Sequence, residues 1–139
     1  MILKKYLVFF LIVLIGIQFI DAKKTNPPVI DEVHAPPVVL KILKKSCYDC
    51  HSNRTNWPLY AYIAPVSWYV VDHVNEGREK LNFTEWDKIS HANRIKIKRK
   101  ILKEISEGDM PIQSYKYMHP HAEVTFDEQR IIQKWATGK

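Results

Sequence analysis

The two cysteines of this 139-residue chain stand two positions apart in "KKSCYDCHSNRTNWP", and a histidine follows at once. Nothing else in the chain resembles this knot of two thiols and an imidazole. Whatever fold the sequence adopts has to be built around what Cys47, Cys50 and His51 bind.

The spacing narrows the choices. A zinc site takes about four ligands, and here three potential donors come without a second cysteine pair. A thioredoxin-like redox pair belongs in a βαβ setting, which the pattern lacks. A plain disulfide would leave His51 incidental. C-x-x-C-H is the attachment signature of c-type haem. Each thiol adds across one vinyl group to give a thioether, and the histidine is then held beneath the iron as its proximal ligand. The cofactor this motif predicts is one haem c, bound covalently through Cys47 and Cys50, with His51 on the metal.

Such attachment occurs outside the cytoplasm, and the N-terminus agrees independently. Lys4 and Lys5 precede "YLVFFLIVLIGIQFI", residues 6–20, which carries no charge and one strongly polar residue, Gln18. A short basic region before about 7–15 apolar residues is the pattern of a secretory signal. Ile20 is a poor residue for a cleavage site after Ala22, so an uncleaved membrane anchor through residues 6–20 is an equal alternative. The expected location is exported and periplasmic, with the anchor, if retained, in the inner membrane.

Residues 23–35, "KKTNPPVIDEVHA", hold prolines and little periodicity and read as an extended tether. The folded domain is expected over 36–139. Four helices are legible there. Residues 36–47 open with proline and place Val38, Val39, Ile42 and Leu43 as an apolar face. Residues 65–81 carry Trp68, Val71 and Asp72 on one side, with Val74 nearby. Residues 91–108 align Ile97, Ile101, Leu102 and Ile105 and stop at Gly108, a residue suited to the position past a helix end. Residues 125–138 begin with Thr125 and Glu128, a capping box, followed by Ile131, Ile132 and Trp135. A shorter helix around "TEWDKI" is also expected. The class is all-α: a cytochrome c-like bundle of about four helices wrapped around the haem. The two long aromatic segments between helices, 51–64 and 109–124, read as loops around an apolar body the chain does not itself supply.

The sixth iron ligand is expected to be Met110, since electron-transfer haems of this type pair histidine with methionine. Met110 lies in "SEGDMPIQSY", after a helix stop and before a proline. His73, Met118, His119 and His121 are the rivals. His34 and His91 read as structural or exposed.

"CYDCHSNRTNWPLYAYIAPVSWYVVDHVNEGREKLNFTEW", then "EGDMPIQSY" and "DEQRIIQKW", together resemble the haem-binding domain family, small exported proteins related to cytochrome c. The resemblance spans about residues 30–137 and implies a covalent haem c on Cys47, Cys50 and His51. Trp57, Tyr60, Tyr62, Pro65 and Trp68 follow the attachment site closely and are expected to wall the haem, their polar tips reaching its edge. Trp86 and Trp135 are expected in the core.

The expected function is electron carriage by a His/Met-ligated haem between redox partners, acidic or membrane-bound, rather than enzymatic catalysis. The alternative is a haem sensor, or a peroxidase-like or accessory module, with an exchangeable sixth ligand. The net charge of +6 comes without a nucleic-acid motif, so nucleic acid is not an expected partner. The run Arg94, Lys96, Lys98, Arg99, Lys100 and Lys103 is either a solvated helix face or a docking surface for an acidic partner.

Overall fold

The computed structural model describes residues 2–138. Among these the regular structure is helical throughout, in seven α-helices: α1 (Ile2–Gly16), α2 (Pro37–Ser46), α3 (Tyr48–His51), α4 (Val66–Lys80), α5 (His91–Glu107), α6 (Gln113–Met118) and α7 (Phe126–Thr137). The long helices of the domain, α2, α4, α5 and α7, are the four that the periodicity predicts. The "TEWDKI" stretch forms only a 3-10 turn, Trp86–Lys88.

The helix ends follow their local chemistry. Pro37 opens α2 at the first-turn position, where its missing N–H is no loss. Thr125 and Glu128 form the capping box of α7 in both directions. Gly108 closes α5 in the left-handed region, φ 80°, a conformation that costs glycine nothing.

The main core gathers Val39, Ile42 and Leu43 of α2, Tyr48 of α3, Phe83, Trp86, Ile101 of α5 and Ile132 of α7. Trp86 is 1% exposed. It stacks on Phe83 at 6.2 Å and meets Trp135 at 6.5 Å, so both tryptophans take the core places expected of them. Lys45 of α2 reaches Glu128 of α7 at 2.6 Å and ties the two helices together.

Two apolar faces are rotated from the expected ones. Val38 is exposed, because Val39, Ile42 and Leu43 fill the buried stripe of α2. In α4 the buried residues are Ser67, Val71, Val74 and Gly77, while Trp68 is half-buried and Asp72 exposed. The buried face of α4 thus mixes two valines with the small residues Ser67 and Gly77.

Residues 20–35 contain no helix, yet they lie along the domain. Val33 joins the core, and its N–H donates to Phe83 O at 2.7 Å. Asp31 pairs with Glu85 in an isolated β-bridge. The packed unit therefore takes in residues N-terminal to Pro36. Preceding this segment, the helical stretch Ile2–Phe19 is long and apolar enough to cross a membrane, and none of it is buried.

Candidate functional site

The site starts from a single turn. Cys47 sits between α2 and α3, and its carbonyl accepts from the N–H groups of both Cys50, at 3.2 Å, and His51, at 2.9 Å. Tyr48 points down into the core, stacked on Phe83 at 5.6 Å. That anchor leaves Cys47, Asp49, Cys50 and His51 half-buried at the surface of the turn.

Helix α4 crosses this turn at close range, and Gly77 makes the approach possible. A Cβ at position 77 would stand 2.5 Å from Cys50 O, well inside contact distance. Because the backbones come so near, His51 Nδ1 lies 2.8 Å from Gly77 O and 3.1 Å from Leu81 O. Two carbonyls can only accept, so Nδ1 carries the proton and Nε2 keeps its lone pair. A metal-ligating histidine is held in this way by an outer carbonyl that fixes its tautomer. Burial lowers the His51 pKa, against the opposing pull of the Leu81 and Gly77 carbonyls, and so favours the neutral ring a metal needs.

The thiols are equally constrained. Burial pushes Cys47 up to about 12, with the neighbouring Cys50 adding to the shift. Burial, with Asp49 beside it, pushes Cys50 up to about 11. Both are protonated at neutral pH and are not joined in a disulfide, which argues against a low-pKa redox pair. Among the described residues, the donor atoms of Cys47, Cys50 and His51 do not gather within 4.8 Å of one another, as those of Asp31, His34 and Asp87 do. The trio is not a small-ion cage. Two spaced thiols plus an imidazole with a free Nε2 suit a large, flat ligand held at its rim and centre, and so fit haem.

Polar ties hold the surrounding loop. Arg78, next to Gly77, donates to Ser52 O at 2.7 Å, Thr55 Oγ1 at 2.7 Å, Thr25 O at 2.8 Å and Asn26 Oδ1 at 2.9 Å. Buried Asn53 receives Asn82 Nδ2 at 2.7 Å, and its own N–H donates to Thr84 Oγ1 at 2.8 Å. Phe83 N–H reaches His51 O at 2.8 Å.

The expected haem walls divide into two groups. Trp57 lies under the Arg78 guanidinium, 6.0 Å from its ring centre. Tyr60 OH meets His119 Nε2 at 2.7 Å. His119 stacks on Tyr115 at 4.5 Å, and Tyr115 OH donates to Asp49 Oδ2 at 2.7 Å. Burial raises the pKa of Tyr60 and of Tyr115, and the charge of Asp49 adds to both. These residues surround the cysteine turn. Tyr62, at the end of the 3-10 turn Leu59–Tyr62, and Trp68 of α4 lie against the N-terminal segment, while Pro65 precedes α4 and is exposed. Lys24 covers Tyr62 at 4.9 Å, and Trp68 Nε1 donates to Ile20 O at 3.0 Å.

Met110 is half-buried in the loop after α5, its N–H bonded to Glu104 O at 3.1 Å. The segment just beyond it is drawn to the site, since Tyr115 of α6 grips Asp49 of α3 and Ser114 meets Tyr69 of α4 at 3.0 Å. The rival ligands stand in different surroundings. His119 gives Nε2 to Tyr60, Met118 is 59% exposed, and His121 is exposed beside His119, whereas His73 gives only Nδ1 to Tyr69 O and keeps Nε2 open, as His51 does.

Gly77 and Arg78 lie in "HVNEGR", part of the family resemblance, but neither is assigned a role by the sequence. A glycine inside a helical pattern costs about 1 kcal/mol against alanine. That cost was the available signal that something must come close.

A family model described as a haem-binding domain matches residues 12–138. No curated protein and no solved structure matches the chain.

Proposed function

The chain belongs to the haem-binding domain family, and from that premise we propose that it is an exported c-type haem protein that carries single electrons. The observation that carries this reading is His51: its Nδ1 is committed to Gly77 O and Leu81 O, on the turn that also holds both thiols. Cys47 and Cys50 would form the thioethers and His51 Nε2 would ligate the iron. The group would supply a reversible ferric–ferrous couple. The chain's own part is to fix the imidazole, keep it neutral and wall the site with Trp57 and Tyr60. Tyr62, Pro65 and Trp68, which the sequence also suggests as walls, take no part in this reading, because Tyr62 and Trp68 are engaged by Lys24 and Ile20.

Met110 is proposed as the sixth ligand. The motive is the loop pinned between Gly108 and Pro111, with α6 drawn to α3 by Tyr115. Thioether is a soft donor and raises the reduction potential relative to a second histidine. The partner is a second redox protein, and the basic face of α5 suits an acidic one. The apolar stretch Ile2–Phe19 is proposed as the export signal, retained as an anchor in the inner membrane.

Optical spectra of the ferric protein test the ligand set. A weak far-red sulfur-to-iron band is expected. Met110→Ala should abolish the band and open the iron to imidazole, and Met118→Ala should do neither. Ready carbon monoxide binding by the wild-type ferrous protein, without that band, would instead favour a sensor or peroxidase-like module.

A further inference from the structure

The apolar N-terminal helix and the domain are not joined by a free linker. Gln18 sits in the 3-10 turn Ile17–Phe19 that finishes the apolar stretch. Its side-chain amide clamps one residue of the domain from both sides: Nε2 donates to Ala64 O at 3.0 Å, and Ala64 N–H donates to Oε1 at 2.9 Å. Ile20 O then takes the indole N–H of Trp68, and Lys24 lies over Tyr62. Further on, Thr25 and Asn26 are held by Arg78, and Asn26 Nδ2 reaches Thr55 O at 2.9 Å. A signal cleaved after Ala22 would discard the Gln18 clamp and the Ile20 bond. The family match itself begins at residue 12, inside the apolar helix.

The surface at this junction is apolar. Leu59 is 87% exposed, Tyr62 59%, Ile63 57% and Val66 45%. These four flank Ala64, the residue that Gln18 grips, along the chain. A spanning helix ends at the lipid headgroups, so a residue clamped within its last turn stands at that depth. Tyrosine, tryptophan and lysine are the residues that favour the interface, and Tyr62, Trp68 and Lys24 all occupy this junction.

We propose that the face formed by Leu59, Tyr62, Ile63 and Val66 lies on the phospholipid bilayer, so that α1 anchors the domain and this face fixes its orientation. The proposal rests on the retained-anchor part of the function proposed above. It gives the haem-bearing turn a set height and tilt over the membrane, which favours encounter with a partner moving in the same plane.

The test uses the full chain, matured with haem and reconstituted into phosphatidylcholine–phosphatidylglycerol vesicles. A photoreactive benzoyl-phenylalanine is placed at position 59 or 63, and at 126, where Phe126 of α7 is equally exposed, at 75%. Intact mass reports the N-terminus and the attached haem before irradiation. Phospholipid adducts at 59 and 63 and none at 126 are expected, and Gln18→Ala should weaken the adducts at 63 while the chain stays membrane-bound. Three results overturn the proposal. The first is the absence of lipid adducts at 59 and 63 in a haem-loaded chain that keeps its N-terminus, and the second is crosslinking of position 63 to haem rather than lipid. A mature chain beginning at Lys23 is the third, and it removes the anchor as well. Loss of the haem mass alone would count against the haem reading and is read separately.

Discussion

The two halves of the domain are held together by different physics. Around Trp86, helices α2, α5 and α7 meet through large apolar side chains: Leu43, Phe83, Ile132 and Trp86 are all at most 1% exposed. Around Cys47, Cys50 and His51, the contacts are carbonyls, amides and a guanidinium, and α4 comes closest to the turn at Gly77, which has no side chain. The first half is a continuous apolar core. The second is precise but short of apolar bulk, the condition expected of a region completed by a large apolar cofactor. Tyr48 and Phe83 join the halves, since both belong to the core while their neighbours form the site.

The largest effect should come from the core half. Trp86→Ala removes a fully buried indole and should cost about 3–5 kcal/mol of stability. Because Phe83 rests on Trp86, the loss should spread to the haem-bearing turn. Hydrogen exchange by mass spectrometry checks this, with faster exchange expected in α3 as well as in α5 and α7. Unchanged protection in α3 would mean that the halves are less coupled than Phe83 suggests.

Gly77→Ala should act in the opposite sense. The new methyl meets a backbone oxygen, which has no rotamer to escape into, so the helices must part. About 1–3 kcal/mol is expected from overpacking, concentrated in α3 and α4, with a lower yield of haem-loaded protein as His51 loses its carbonyl partners. Protection in α5 and α7 should stay near wild type. Denaturant melts and haem content per chain measure both effects.

The smallest effect sharpens the comparison from the core side. Partial burial acts to raise the Glu128 pKa, but the Lys45 ammonium and the Thr125 N–H outweigh it and hold the carboxyl below its ordinary 4.5. A depressed carboxylate contributes stability above its unfolded pKa and loses it as pH falls through the folded one. Glu128→Gln should therefore flatten the loss of stability below about pH 4.5, by about 1 kcal/mol or less, and leave haem attachment unchanged. Melts from pH 7 to pH 3 check it.

Much of the core half was legible in the sequence because its signals are local and periodic. The capping box of Thr125 and Glu128, the stop at Gly108 and the apolar spacing of Ile97, Ile101 and Ile105 each belong to one helix. The turn was marked too, by the C-x-x-C-H spacing, and the haem-binding family match agrees with the class of ligand that spacing suggests. What escaped the reading is what depends on backbone. Nothing in the prolines of residues 23–35 marks them as laid along the domain, since most of the segment's bonds, such as those of Thr25 O, Pro28 O and Val33 N–H, use main-chain groups. The close crossing at Gly77 left only a missing side chain as its trace. Gln18 looked like a blemish in an apolar run, whereas it is the residue that grips Ala64.

The most direct test of the account is the intact mass of the full-length protein made with haem-c maturation, before and after acid–acetone extraction. The account predicts a chain heavier by one haem, a mass that survives extraction, and its loss in a Cys47→Ala, Cys50→Ala double variant. A chain at its bare mass, haem that washes out, or a zinc ion in its place would contradict it.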